Sequence, residues 1–437
     1  MNIKKYLLLF LCLPCFMQAK TITISRLTCE MQEGLVVVEG SPRLGWVMES
    51  PENGTRQSAY EIDIREAFTG RSVWNSGKVY STQSQLVSIE GADIRPDNPF
   101  NYSWRVRVWD ETDAPSEWSR EAKFRSASSR LSEGKWIGAI TRQNAHLPEG
   151  RKFHGGELKK PEVKAAWEAV DTLAKKSICL RRTFQVGDRT EGNTNRQSGK
   201  KIVEATAYVC GLGFYEFSLN GKKVGNSEFA PLWSDYDKTV YYNTYDVTEQ
   251  LRHGENAVGI LLGNGFYNVQ GGRYRKLQIS FGPPTLLFEL VINYEDGTST
   301  TLRSDNDWKY DFSPVTFNCI YGGEDYDARR EQKGWNQVGF DDSHWRPVVI
   351  QEAPKGILRP QMAPPVKIME RYDIQKVTKL NAEQVASASV STKRTVDLSA
   401  FVLDMGQNLA GFPEITVRGK RGQKVTLIVA EALTEEG

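Results

Sequence analysis

Three short stretches place oxygen-bearing side chains next to aromatic rings at turns, and any chemistry in this chain is sought there first. They are Ser234-Asp235-Tyr236-Asp237, then Gly263-Asn264-Gly265-Phe266-Tyr267, then Gly322-Gly323-Glu324-Asp325-Tyr326-Asp327 with Arg329 just beyond. Carboxylate and amide oxygens on loops suit a hard cation such as calcium, which prefers an all-oxygen shell. An aromatic face beside carboxylates suits a sugar ring, whose C–H face is apolar and whose rim is polar. The same residues also fit a purely structural reading, as turn formers and domain-interface pairs. In that reading "GGEDYDARRE" is a set of salt bridges holding a loop. "DYDARR" is not an EF-hand loop, because it lacks the central glycine and the terminal glutamate.

Other chemistries are excluded by spacing. "GLGFYEF" (211–217) does not fit the dinucleotide fingerprint and opens a strand, not a helix. No GxSxG elbow and no HExxH pair occurs. His146, His154, His253 and His344 are scattered, two of them beside turn glycines, so solvated surface histidines are expected. With 56 basic and 54 acidic residues the chain carries a formal net charge of +2, which suggests neither a nucleic acid nor another polyanion as partner.

The elements that must position these residues are mostly strands. Lys4 and Lys5 precede the apolar run "YLLLFLCLPCF" (6–16), and "MQA" ends at Ala19. A basic start, a short apolar core and a small residue at the cut describe a secretory signal over 1–19, too short to span a bilayer. Lipidation at Cys15 fits poorly beside Leu13 and Pro14. Removal of the signal takes away two lysines and brings the net charge to zero. The protein is then exported, periplasmic or extracellular, with no membrane insertion. Cys29, Cys179, Cys210 and Cys319 remain, without CxxC or metal-ligand spacing. Oxidation would allow three pairings, among which sequence does not choose; buried free thiols are the expectation.

At 437 residues the chain is too long for one core, and 39% hydrophobic with 25% charged residues marks a globular protein. Residues 20–127 read as a small β domain. "YEIDI" (60–64) points Tyr60, Ile62 and Ile64 inward and Glu61 and Asp63 outward; "YSWRVRVWD" (102–110) does the same with Tyr102, Trp104, Val106 and Val108. Together with "PRLGW" (42–46) and "SEWS" (116–119), this pattern resembles a fibronectin type III domain. A polar linker over 128–135 leads to a second β domain, 136–352. Its insertion, 141–177, carries an amphipathic helix with Val163, Ala166, Trp167, Val170 and Ala174 on one face and Pro161 in the first turn. Residues 189–201 are a polar loop. Asn220-Gly221 and Asp296-Gly297 mark tight hairpins. Thr248 is expected to cap a short helical turn that Gly254 ends. Prolines 354, 360, 364 and 365 mark a boundary over 353–365. Strand-like runs follow at 414–419 and 424–433.

The order of these segments resembles the bacterial α-L-rhamnosidases, glycoside hydrolase family 78. The resemblance rests on "YVCGLGFYEFSLNGKKVGNSEFAPLWSDYDKTVYYNTYDVTEQLRHGENAVGILLGNGFY" (208–267), on "YGGEDYDARRE" (321–331) with "GW" at 334–335, and on "DMGQNLAGFPEITVRGKRGQKVTLIVAEAL" (404–433). It implies an all-β chain: the fibronectin type III-like sandwich, a galactose-binding-like jelly roll over 136–352, and the start of a concanavalin-like sandwich over 366–437.

The resemblance also implies what to expect of the site. Some members use the jelly roll as a calcium-assisted rhamnose-binding module. On that basis Asp235, Tyr236, Asn264, Phe266, Glu324, Asp327 and Arg329 are candidate contacts to substrate, with calcium near Asp235 or Asp325 and no organic cofactor. In the family the chemistry sits on an (α/α)₆ barrel, where an acid and a base flank the scissile bond. No stretch of the Asp-Cys-Pro-x-Arg-x-Glu-Arg type occurs here, so no catalytic residue is assigned and a downstream catalytic domain is expected. The implied activity is inverting hydrolysis of terminal α-L-rhamnosyl residues in rhamnose-containing glycans. The alternative is a stand-alone carbohydrate-binding or adhesion protein.

Overall fold

The computed structural model describes residues 22–95, 98, 100–127, 131, 133–148, 152–187, 200–271, 273, 277–435 and 437. The expected signal sequence, part of the 128–135 linker and most of the 189–201 loop lie outside these residues. The chain divides into two compact units, Met1–Val366 and Lys367–Gly437. Among the described residues no helix is long and apolar enough to cross a membrane.

Within the first unit, residues 22–127 form two facing sheets. One orders Thr23–Cys29, Arg43–Glu49 and Val87–Ser88; the other orders Val36–Val38, Ala122–Ser126, Tyr102–Asp110, Gln57–Glu66 and Ser72–Asn75. The inward alternation is as read from sequence: Ile62, Ile64, Trp104, Val106 and Val108 are buried around Leu44, Trp46 and Phe124. Asp63 departs from that reading. It stays on the outer face but is buried, because the Arg65 and Arg105 guanidinium groups close over its carboxylate at 2.9 and 3.0 Å.

The second β domain has two larger sheets. One runs Val349–Ile350, Ile137–Gly138, Thr285–Tyr294, Ile202–Leu212, Thr239–Asp246 and Ile357–Pro360. The other runs Lys222–Lys223, Tyr215–Leu219, Gly254–Leu262, Ile178–Val186, Lys309–Phe312 and Arg346–Pro347. Phe217, Ile260, Phe288, Leu290 and Trp308 fill the space between them. The outer face of the first sheet, with Tyr208, Cys210 and Leu212, is covered in part by Val37 and Ala127 of the preceding domain. There Arg125 meets Glu204 at 2.8 Å with both side chains 5% exposed.

Local chemistry explains the hairpins. Asn220 and Gly221 both have positive φ, 52° and 81°, as a tight I′ turn requires. Asn220 is further held by donating to the Gln250 carbonyl and accepting from the Ala257 amide. The expected cap at Thr248 is corrected: the carboxylate of Asp246 accepts from the Thr248 amide at 3.1 Å, while the Thr248 hydroxyl accepts from the Ala205 amide at 2.9 Å. The turn, Thr248–Gln250, has Val247 at its N-cap and no side-chain cap; Asp246 instead accepts from both the amide and the hydroxyl of Thr248. Gly254 has positive φ as expected but opens the next strand. The insertion helix begins at Pro161 but stops at Glu168. Asp171 then caps a separate 3₁₀ turn, Thr172–Lys175, by accepting from the Leu173 amide, which breaks the continuous helix expected to 176. Trp167, Val170 and Ala174 are nevertheless all buried on one side, against Ile140 and Ala145.

The second unit has one antiparallel strand pair, Lys376–Lys379 with Phe401–Asp404. A helix not expected from the sequence, Ala382–Thr392, is started by a capping box of Asn381 and Gln384. The runs 414–419 and 424–433 carry no strand. A strand is defined by its ladder, and no partner is paired with either run within this unit.

All four described cysteines are buried and unpaired, as the spacing suggested. Burial pushes the thiols of Cys29, Cys179 and Cys210 up, that of Cys179 to about 12, so they stay protonated and inert.

Candidate functional site

Two glycine turns bring two loops into backbone contact. Gly213 has φ +127°, and a Cβ on it would lie 1.9 Å from the Gly263 carbonyl oxygen. Gly265 has φ +51°, and a Cβ there would lie 2.7 Å from the Phe214 amide nitrogen. Neither position accommodates a side chain. The Gly263 amide donates to the Phe214 carbonyl at 2.8 Å. The Phe214 and Phe266 rings consequently meet edge to face with centroids 5.9 Å apart.

Two more loops extend this pair. Phe229 lies 5.5 Å from Phe214. Its backbone is left-handed, φ +52°, a conformation that costs a bulky L-residue about 1–3 kcal/mol. Trp233 stacks on Phe266 at 5.0 Å with 19° between the planes. The intervening Leu232 amide donates to the Gln361 side chain at 2.9 Å, and Ala230 bridges to Tyr215. Tyr321 meets the Phe266 ring edge-on at 6.1 Å. Trp233, Phe229 and Tyr321 are 62%, 53% and 47% exposed. Five aromatic rings from four loops thus form one surface of the jelly roll, with three of them open to solvent. An exposed cluster of this kind marks a contact surface more often than a single exposed ring does.

The candidates named from sequence fall into three groups. Phe266 is in the aromatic cluster itself. Asn264 and Tyr236 lie beneath it. Asn264 is fully buried; its amide group donates to the Lys175 and Asn318 carbonyls at 2.9 and 3.3 Å and accepts from Asn268 at 2.8 Å. It fixes the turn that presents Phe266 and has no open face for a ligand. Tyr236 is buried between Tyr267 and Phe281, each ring 5.1 Å away. Of the remaining candidates, Asp235, Asp327 and Arg329 sit in surface ion pairs, whereas Glu324 has none among the described residues. Asp235 pairs with Lys238 at 3.0 Å, and that hydrogen bond holds its carboxyl below the ordinary range. Asp327 accepts from the Arg329 guanidinium at 2.8 Å and from the Arg329 amide, which holds it at about 2. Burial, and then the neighbouring charge of Glu216, push Glu324 up.

The two carboxylates expected near calcium are both engaged by cations of the chain itself. Asp235 faces Lys238, Asp325 faces Arg273, and among the described residues no three His, Cys, Asp or Glu side chains stand together as a metal site. Phe214, Phe229, Trp233 and Tyr321 were not singled out from the sequence. The available signal was local: each lies within two residues of a glycine or proline, in "GLGF", "FAPLW" and "IYGG".

Three family models match the chain in order. The N-terminal immunoglobulin domain of Rha78A-like proteins matches residues 24–129. The α-L-rhamnosidase N-terminal domain matches 200–370, and the bacterial α-L-rhamnosidase concanavalin-like domain matches 394–437. An α-L-rhamnosidase of Formosa agariphila is 33% identical over 99% of this chain and 43% of its own length. The α-L-rhamnosidase of Streptomyces avermitilis, solved in complex with L-rhamnose, superposes with a TM-score of 0.65 at 25% identity, covering 89% of this chain and 49% of that one. The enzyme of Dictyoglumus thermophilum gives 0.56 at 29% identity, covering 82% and 37%. The chain spans about 40–50% of the length of the first curated relatives it matches.

Proposed function

We propose, from the premise that this chain belongs to the α-L-rhamnosidase family and matches its N-terminal part, that it is the accessory region of an exported glycosidase. That enzyme removes terminal α-L-rhamnosyl residues from rhamnose-containing glycans with inversion and without an organic cofactor. The observation carrying this reading is the order of the three matched domains along residues 24–437. Inversion needs a carboxylic acid on the leaving oxygen and a carboxylate activating water, about 6.5–9.5 Å apart. The catalytic domain supplies that pair; this region supplies folded support and a sugar-facing surface.

The jelly roll contributes weak L-rhamnose binding at the loops that carry Asp235, Asn264 and Phe266. Phe266 backs the exposed Trp233 ring, Asn264 holds the turn, and Asp235 lies two residues from Trp233. The stand-alone binding protein remains the second reading, favoured by the same exposed aromatic surface. Reading the gene beyond codon 437 and assaying its product on 4-nitrophenyl α-L-rhamnoside separates the two. Release of β-L-rhamnose as first product is expected, and no turnover overturns the enzyme reading. Calorimetry of the 437-residue chain with millimolar L-rhamnose, with calcium and with EDTA, tests the site. Heat in both buffers is expected, and silence in both removes sugar binding.

A further inference from the structure

Four of the five rings of the aromatic surface follow one another in contact, and Tyr321 joins them at Phe266. Trp233, Phe266, Phe214 and Phe229 follow one another in ring-to-ring steps of 5.0, 5.9 and 5.5 Å. The two inner rings are half-buried, whereas Trp233 at one end and Phe229 at the other are more than half exposed. Phe266 covers one face of Trp233 by parallel stacking, which leaves the indole's opposite face outward. One pyranose covers the face of one aromatic ring, so a single sugar at Trp233 leaves Phe229 unused. Phe229 is also held in left-handed backbone although its ring is largely in solvent. The ring itself touches Phe214 and the adjoining Ala230 enters the core, and stored backbone strain of this kind gathers at ligand contacts. Carboxylates stand near these loops: Glu216 follows Phe214 by two residues on the exposed side of its strand, where it pairs with Lys223 at 3.7 Å, and Glu324 follows Tyr321 by three and senses the charge of Glu216. Carboxylates at the margin of an aromatic face accept hydrogen bonds from sugar hydroxyls, which a purely apolar protein contact would not need.

We infer that this row binds a saccharide of several rings, with Trp233 and Phe229 as two separate ring-stacking positions, and not free L-rhamnose alone. This rests on the sugar-binding reading above and adds to it the size class of the ligand and the residues that measure it. Phe266 and Phe214 act as positioning residues that set the distance between the two ends. The selectivity then comes from chain length: a ligand that reaches both ends gains a second stacking contact without a second loss of translational freedom.

The test titrates the 437-residue chain with L-rhamnose and with an α-L-rhamnosyl trisaccharide, reading calorimetric heat and Trp fluorescence. The trisaccharide is expected to bind at least tenfold more tightly than the monosaccharide. Phe229→Gly removes the outer ring and also relieves the left-handed backbone, so it is expected to keep or raise the melting temperature. It should lower trisaccharide affinity about tenfold and leave L-rhamnose affinity unchanged. Trp233→Ala should weaken both ligands. Equal affinity for the two ligands in the native chain overturns the length-selective row while leaving sugar binding intact. Trisaccharide binding that is unchanged in Phe229→Gly and Trp233→Ala places the sugar elsewhere and overturns the row as the site. Silence with every saccharide removes both the row and the sugar-binding reading.

Discussion

Asn264 shows how far residue type alone misleads about role. An Asn between two glycines on a loop has the chemistry of a ligand contact, yet here its polar atoms are turned inward to carbonyl groups and Asn268. Asn264→Ala would remove three hydrogen bonds at once, each contributing about 0.5–1.5 kcal/mol, although the Asn268 amide keeps the Ala174 carbonyl and the Lys175 and Asn318 carbonyls keep the Gln270 amide. A loss of about 2–4 kcal/mol in urea unfolding is expected; a loss below about 1 kcal/mol would show that water replaces the side chain. Asp327 is the opposite case, an exposed carboxylate engaged with its own neighbour. Its folded pKa is about 2 against an ordinary 3.8, so the pair with Arg329 is fully formed above 3.8 and is lost as pH falls toward 2. Arg329→Ala should return the Asp327 titration midpoint toward 3.8 in a carboxyl NMR experiment. A midpoint still near 2 would assign the depression to the backbone amide instead.

At the scale of elements, the outer face of the first domain is closed by interleaved charges and rings. Trp118 lies between the guanidinium groups of Arg105 and Arg107, at 4.5 and 4.8 Å, and Trp109 between Arg107 and Lys78, at 5.0 and 4.7 Å. Arg105 and Arg107 in turn pair with Asp63 and Glu61 on the neighbouring strand. The hydroxyls of Ser116 and Ser119 accept from the Val108 and Val106 amides, so "SEWS" completes the sheet edge without being a regular strand. Partly exposed cation–π contacts contribute about 0.5–1 kcal/mol each. Trp118→Ala is therefore expected to destabilise this domain by about 1–2 kcal/mol, read as a lower midpoint in thermal unfolding; an unchanged midpoint would make the ladder ornamental. In the second domain the paired glycine turns are less forgiving. Gly213→Ala drives a methyl group into the Gly263 carbonyl, so the two loops separate. Loss of the Phe214–Phe266 contact is expected, visible in the aromatic NMR signals before any change in secondary structure.

Across the first unit, the two β domains are joined through a buried ion pair. Arg125 and Glu204 are each 5% exposed, and the Asn101 amide also donates to Glu204 at 3.0 Å. Burial raises the Glu204 carboxyl even against the attraction of Arg125, which shows that desolvation is the larger effect. Glu204→Gln leaves a buried, unmatched guanidinium and should cost about 3–5 kcal/mol, whereas the double replacement Arg125→Met with Glu204→Leu should be close to neutral. Chemical denaturation of both variants beside the native chain measures this; equal losses in the single and the double variant would exclude a pairwise interaction. For the polypeptide of 437 residues produced as such, no hydrolysis of an aryl α-L-rhamnoside is expected, because no stretch of the Asp-Cys-Pro-x-Arg-x-Glu-Arg type occurs in it. Turnover that survives removal of host enzymes would place a catalytic pair within these residues.

The sequence by itself determined most of the strands and turns, because those depend on neighbours close in the chain. Alternation at 60–64 and 102–110 fixed which residues face the core, and Asn220-Gly221 fixed the hairpin through its tolerance of positive φ. It also determined the family, through motifs whose order survives even where each is short. Tertiary structure alone decided which loop residues meet. Phe214, Phe229, Phe266 and Tyr321 are separated by 15 to 107 positions, and nothing periodic connects them. It likewise decided that Tyr236 and Asn264 are buried, that Asp63 is covered from its outer side, and that the Thr248 hydroxyl serves the Ala205 amide instead of capping its turn. Burial of a polar group depends on what folds over it from elsewhere in the chain, and local pattern carries no record of that.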